Sequence, residues 1–199
     1  MIPKPGKDPT DVSSYRPVSL LHIISKVLEK LHKRINKDMH QQDWITHHKL
    51  GFRQVHSTVQ QCHRLTDIIN KALENHQYCT AAFLDVSQAF DKVWHPGILL
   101  KIKQTLPPGY FHLLQSYLQD RYFVTKFSNA ISSRYTIHSG VPQSSILGPL
   151  LYTLYTSDLS TSRKTILSIL ADDTAVLATH SDPTTASLNL QDHLHSIEN

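Results

Sequence analysis

TILSILADDTAVLA, residues 165–178, is the stretch that decides the architecture. Ile166, Leu167, Ile169, Leu170 and Ala171 run up to Asp172-Asp173, and Ala175, Val176, Leu177 and Ala178 run away from it. Two apolar strands joined by a tight turn would carry both aspartates at the tip. Upstream, Tyr78 to Leu84 is a nearly continuous apolar run that ends at Asp85. Such a run predicts a strand covered on both faces. Downstream, Asp182-Pro183 supplies an N-cap and a first-turn proline for a closing helix.

The remaining segments alternate in texture. Ile2-Pro3-Lys4-Pro5-Gly6-Lys7 reads as an extended piece breaking into a turn. Over 18–39, Leu20, Leu21, Ile24, Val27, Leu28, Leu31 and Ile35 recur at helical spacing, with Lys26, Lys30, Lys33, Arg34 and Lys37 on the other face. A second amphipathic helix is predicted near 58–75, with Val59, Cys62, Leu65, Ile68, Ile69 and Leu73 as its apolar face. Helices follow near 97–106 and 110–120, separated by Pro107-Pro108-Gly109. Residues 122–128 and 131–138 form the arms of a hairpin. The loop Ser139-Gly140-Val141-Pro142 leads into a helix from about 145 to 159. Strands and helices mix without βαβ regularity, so the expected class is α+β.

Composition narrows the function. With 199 residues and 40% hydrophobic content, the chain has room for one ordinary domain or two small subdomains. No apolar run approaches the ~20 residues of a membrane span, and MIPKPGKDPT lacks the apolar core of a secretory signal. An intracellular protein of the cytoplasm or nucleus is expected. Cys62 and Cys79 form neither a CxxC pair nor a disulfide framework, and both are expected to be buried. The fourteen histidines show no zinc-ligand spacing and are expected mostly at the surface. The net charge of +4 resides in residues 1–40, where eight Lys/Arg face four Asp/Glu; the rest balances at twelve each. A basic leading segment suits a phosphate-rich partner, although it also describes the solvated face of a helix.

Asp85, Asp172 and Asp173 are the candidates for chemistry. An acid ending a buried strand and two at an apolar hairpin tip are costly unless something pairs with them. Magnesium would be such a partner, because it prefers a few carboxylates, waters and phosphate oxygens. Two such ions activate an attacking hydroxyl and neutralise the leaving group. A plain solvated turn would use the same adjacent aspartates.

Three words now add up. FLDVSQAFDKVWH at 83–95, SGVPQSSILGPLLY at 139–152 and LADDTAVLA at 170–178 resemble, in order and separation, the palm motifs of reverse transcriptases. IPKPGK at 2–7, YRPVSLL at 15–21 and KLGFRQVHST at 49–58 resemble the finger motifs of LINE-type, jockey-like retrotransposon enzymes. The resemblance implies the fingers and palm of a right-hand polymerase, with an antiparallel palm sheet packed on helices. Partial fingers would occupy 1–78. The palm would occupy 79–199, with an inserted fingers segment near 100–136.

The resemblance also implies roles. Asp85, Asp172 and Asp173, with the Val86 carbonyl, would hold two magnesium ions, manganese being the alternative. Phe90 would exclude a ribose 2′ hydroxyl. Lys4 and Arg16 would clamp a triphosphate, and Gln143 would touch the templating base and the new nucleotide. The implied partners are an RNA template, a DNA primer and dNTPs. Asp91 and His95 are expected to be structural, and Arg53 is more suited to holding the fingers together than to touching substrate.

Two positions depart from the pattern. Ser144 stands where the family has Gly, and Leu170 where it has an aromatic residue. The resemblance further implies that the chain starts within the fingers and stops before the thumb. A fragment with weak or no activity, from a decayed element copy, is therefore expected. A non-catalytic nucleic-acid-binding remnant is the alternative; a group II intron or telomerase-like relative fits GFRQVHST and FDKVWH less well.

Overall fold

The computed structural model describes residues 2–3, 5–8, 10–11, 14–16, 19, 30, 34–35, 58–127, 130–143, 145–170 and 173–198. The basic helix expected over 18–39 lies outside them, apart from helical positions 30, 34 and 35. In chain order the elements are β1 (Ile2–Pro3), β2 (Tyr15–Arg16), α1 (Thr58–Glu74), β3 (Tyr78–Leu84), a 3-10 turn (Ala89–Lys92), α2 (His95–Thr105) and α3 (Pro108–Leu118). Then come β4 (Tyr122–Phe123), β5 (Lys126–Phe127), β6 (Ala130–Ile131), β7 (Tyr135–Thr136), α4 (Leu147–Tyr155), β8 (Thr165–Leu170), β9 (Asp173–His180) and α5 (Pro183–Glu198). The class is α+β with antiparallel pairing, as expected. Two compact units divide the chain. One combines Met1–Trp44 with Gln88–Tyr155, the other Ile45–Ser87 with Thr156–Asn199. Each unit therefore joins two separated stretches.

In the first unit, α2 packs against both α3 and α4. Ile98, Ile102, Leu114, Leu118, Leu147, Leu151 and Leu154 are almost wholly buried, the inward stripes of three short helices. Both α2 and α3 begin about two residues before their sequence-based starts. Pro96 and Pro108 sit in their first turns, where a missing N–H costs nothing. The hairpin forms as two short ladders rather than one. Tyr122 and Phe123 pair with Thr136 and Tyr135, while Lys126 and Phe127 pair with Ile131 and Ala130. Between the ladders, residues 124–125 face residues 132–134, one residue more on the returning arm, so the hairpin carries a bulge.

The second unit is built on a three-stranded antiparallel sheet in the order β3-β9-β8. Leu167, Ile169 and Val176 point to one face, where Leu190, Leu194 and Ile197 of α5 cover them. His193 of α5 is buried, against the expectation of surface histidines. Its Nε2 lies 2.9 Å from the Ser160 carbonyl and its Nδ1 2.5 Å from Thr165 Oγ1. Only the Nε2–H tautomer can donate to the first and accept from the second. The other sheet face meets α1, which is turned from its expected orientation. Gln61, Leu65, Ile68 and Ala72 point inward, whereas Val59, Ile69 and Leu73 are exposed. Gln61 takes the inward position because its amide donates to Ser168 Oγ on β8. Cys62 is accordingly exposed, and only Cys79 is partly buried.

The expectation that β3 is covered on both faces is also corrected. It is an edge strand of this sheet, and Phe83 is 74% exposed. Its apolar run reflects one face packed on α5, while Ala81 and Phe83 on the other face are exposed.

Asp182 caps α5 as predicted. Its carboxylate accepts from the Thr185 backbone N–H at 2.7 Å and the Thr185 hydroxyl at 2.6 Å. These bonds, the hydroxyl's first, hold the acid below its ordinary 3.8. A depressed carboxyl stabilises the fold fully above its unfolded pKa and loses that contribution as pH falls through the folded value. Asp182→Ala should therefore melt closer to the unaltered chain at pH ~3 than at pH ~6. An equal gap at both pH values would show that the cap has no acid-linked contribution.

Candidate active site

The antiparallel register assembles this site. The last pair of β3 and β9 is Leu84 opposite Thr174, so one step further places Asp85 across from Asp173. On the other side, β9 pairs with β8 as far as Leu170 opposite Asp173, which makes Asp173 the first residue after the hairpin turn. Side chains alternate along a strand, so Asp173 shares its face with Ala175, and Asp85 shares its face with Phe83. A cavity of about 320 Å³ opens there. Gln61, Cys62 and Leu65 of α1 form one wall, the ends of β3 and β9 the other, and Ser168 the floor. Both Asp85 and Asp173 line it, and among the described residues the lining includes no Lys or Arg.

Like charges directly opposite on neighbouring strands destabilise a sheet. Two carboxylates at one cavity, with no basic side chain in its lining, therefore suit a cation supplied from outside. Hard carboxylate oxygens suit magnesium or manganese better than a thiophilic metal. Among the described residues no group of three or more His, Cys, Asp or Glu side chains could hold a metal ion. Asp172, the third expected carboxylate, lies outside those residues. Val86 follows Asp85 and is exposed. Gln61, which sequence reading left on the polar face of α1, is 3% exposed, and its Oε1 has no partner among the described residues. No sequence signal marked it, because its neighbour Cys62 fitted the apolar spacing better.

Of the other expected residues, Arg16, Phe90 and Gln143 belong to the first unit. Lys4 lies outside the described residues, as do Arg53 and Ser144; Arg16 is described only as a backbone position on β2, opposite Ile2. Phe90 sits in the 3-10 turn and stacks on Tyr152 of α4, with centroids 5.0 Å apart and planes 28° apart. Gln143 donates from Nε2 to both carboxylate oxygens of Asp91, each at 2.9 Å. Burial raises the Asp91 pKa and the Gln143 bond opposes that rise. Gln143 and Asp91 line a small cavity of about 60 Å³ with Arg121, whose guanidinium lies 3.3 Å from Ser19 Oγ.

A family model described as reverse transcriptase (RNA-dependent DNA polymerase) matches residues 2–199. The chain belongs to the reverse transcriptase family. Among curated reverse transcriptases of Drosophila melanogaster, the probable RNA-directed DNA polymerase from transposon X-element is 49% identical over 182 residues, 88% of this chain. The probable RNA-directed DNA polymerase from transposon BS is 43% identical over 206 residues, 99% of the chain. The RNA-directed DNA polymerase from mobile element jockey is 40% identical over 209 residues, 100% of the chain. The chain spans 20–23% of the length of these relatives. The likeness to LINE-type, jockey-like reverse transcriptases drawn from six short motifs thus extends along the chain. Among the described residues no helix is long and apolar enough to cross a membrane.

Proposed function

We propose that the chain forms fingers and palm of an RNA-directed DNA polymerase, adding dNTPs to a DNA primer on an RNA template. The observation that carries this reading is that Asp85 and Asp173 line one cavity whose lining, among the described residues, includes no Lys or Arg. Asp85, Asp173 and Asp172, with the Val86 carbonyl, would hold two magnesium ions. When bound, such ions lower the barrier to displacement at phosphorus by activating the attacking hydroxyl and neutralising the leaving group. The chain's own part is to bring the two carboxylates to one cavity, Asp85 as the residue after β3 and Asp173 as the first of β9.

Phe90 would meet the sugar of the incoming nucleotide. Its stacking on Tyr152 holds the ring in place, so a 2′ hydroxyl would collide with a side chain that has no easy retreat. Lys4 and Arg16 would bind the triphosphate as point charge and planar fork. Gln143 would contact the templating base and the nucleotide.

Single-nucleotide incorporation on a primed RNA template with magnesium tests the reading. Weak, magnesium-dependent incorporation of one nucleotide is the expected result. Salt-sensitive binding without incorporation, unchanged by Asp172→Asn, would replace it with a non-catalytic nucleic-acid-binding role. Phe90→Val should lower discrimination against ribonucleotides at least about tenfold, ~1.4 kcal/mol. Competition between dNTP and rNTP measures this, and an unchanged sugar preference would remove Phe90 from the gate.

A further inference from the structure

Residues 139–143 are strapped onto the turn that carries Asp91. The Gly140 N–H donates to the Val93 carbonyl at 2.7 Å and the Val141 N–H to the Phe90 carbonyl at 2.8 Å. The Ser139 hydroxyl donates to the Asp91 carbonyl at 3.1 Å, and His95 Nε2 lies 2.8 Å from the Gly140 carbonyl. Four contacts over so few residues hold the two segments in one relative position. The Gln143 side chain ends on the Asp91 carboxylate, the only side-chain contact of this group in which both atoms of an acid serve one donor.

We propose that Asp91 is a positioning residue for Gln143, holding its amide with Nε2 turned inward so that Oε1 is the end offered to nucleic acid. This rests on the polymerase reading, in which Gln143 contacts the templating base and nucleotide. The physical basis is the one-sidedness of a carboxylate. An ionised Asp accepts and cannot donate, so only the NH₂ end of the amide can face it. A glutamine without such a partner presents its donor and acceptor ends with little preference, and half of its orientations would offer the wrong group. Asp91 is half-buried, and in that setting a charge-assisted bond is stronger than it would be in water. Asp91 is expected from the resemblance to be structural, having no metal role there; the structure adds its bond to Gln143, 52 residues away.

The test is a double-mutant cycle in single-nucleotide incorporation with the full chain, together with amide NMR. Asp91→Ala should raise the KM for dNTP about tenfold while changing kcat much less, the loss of a correctly presented contact. Asp91→Asn retains one acceptor oxygen and should recover most of that loss. Asp91→Ala combined with Gln143→Ala should be no worse than Gln143→Ala alone. In ¹⁵N spectra, the Gln143 side-chain NH₂ signals, assigned by their disappearance in Gln143→Met, should move to solvent-exposed positions in Asp91→Ala. Losses that multiply in the double variant, or Gln143 signals that do not move, would overturn the proposal. Should Asp91→Ala not fold, Asp91→Leu, of similar shape but unable to accept, carries the same two readouts in a cycle with Gln143→Met. An unaltered chain no more active than Asp173→Asn would sink the polymerase reading and this role with it. Activity with multiplying losses would sink the positioning role alone.

Discussion

Asp173→Asn is expected to incorporate nucleotide at about a thousandth of the rate of the unaltered chain, or less, while melting no lower. Metal-assisted charge neutralisation contributes several kcal/mol to such a displacement, and each 1.36 kcal/mol is tenfold in rate. Asparagine keeps the size of the side chain and its place on β9 but removes the charge that would hold a divalent ion. The stability half of the prediction follows from the cavity lining. Because Asp85 and Asp173 line one cavity with no Lys or Arg among its described lining residues, neutralising one lessens repulsion between two acids and removes no cation contact there. Rate and stability should therefore move independently, or even in opposite directions. Single-turnover incorporation with magnesium, alongside thermal melting, reads both. A variant within tenfold of the unaltered rate would show that the β3–β9 end is not the seat of the reaction. A large fall in melting temperature would show that Asp173 supports the fold instead.

Gly140→Ala carries the largest expected loss of stability. Gly140 has φ +92°, and a Cβ there would lie 2.9 Å from both the Cα and the carbonyl oxygen of Asp91. Both obstacles are backbone, so no rotamer change relieves them. Strain at such a dihedral and overpacking each cost ~1–3 kcal/mol, giving a total of about 2–5 kcal/mol. For a chain of this size the midpoint should fall by roughly 5–15 °C. Gly109→Ala is the matched control. Nothing lies within 4 Å of its added methyl and it sits in the first turn of α3, so it should be neutral or slightly stabilising. Thermal denaturation of the two variants decides the matter. If Gly140→Ala melts within a degree of the unaltered chain, the loop must shift freely against the 3-10 turn, and the hydrogen bonds between them do not hold it.

Much of the fold was legible because it is local. The β8–β9 hairpin followed from apolar runs on either side of two aspartates, and the start of α5 from Asp182-Pro183. Helices α2 and α3 followed from apolar spacing interrupted by Pro107-Pro108-Gly109; only their first turns were misjudged, because proline was read as a break rather than an opening. What failed was partnership. The apolar face assigned to α1 was off by one position, since Ser168, more than a hundred residues away, offers Gln61 a buried hydrogen bond. The apolar run of β3 was mistaken for a doubly covered strand because residue type does not distinguish a central strand from an edge. His193 was grouped with surface residues because Ser160 and Thr165, which satisfy it, cannot be identified from the neighbours of 193. The bond between Gln143 and Asp91 was not legible because nothing near either in the chain announces the other.

By itself the sequence determined the kinds of elements, their order, the family, and that the hairpin of β8 and β9 brings Asp173 to the start of its second strand. These depend on periodicity, turn chemistry and words read along the chain. Only the tertiary structure decided that β9 lies between β3 and β8, and that Leu84 pairs with Thr174 so that Asp85 stands across from Asp173. The reason is that strand register joins segments ninety residues apart. A slip of one residue would turn Asp85 to the opposite face of the sheet, and nothing in the local pattern of either strand forbids it; the packing of α1 and α5 on the two faces does.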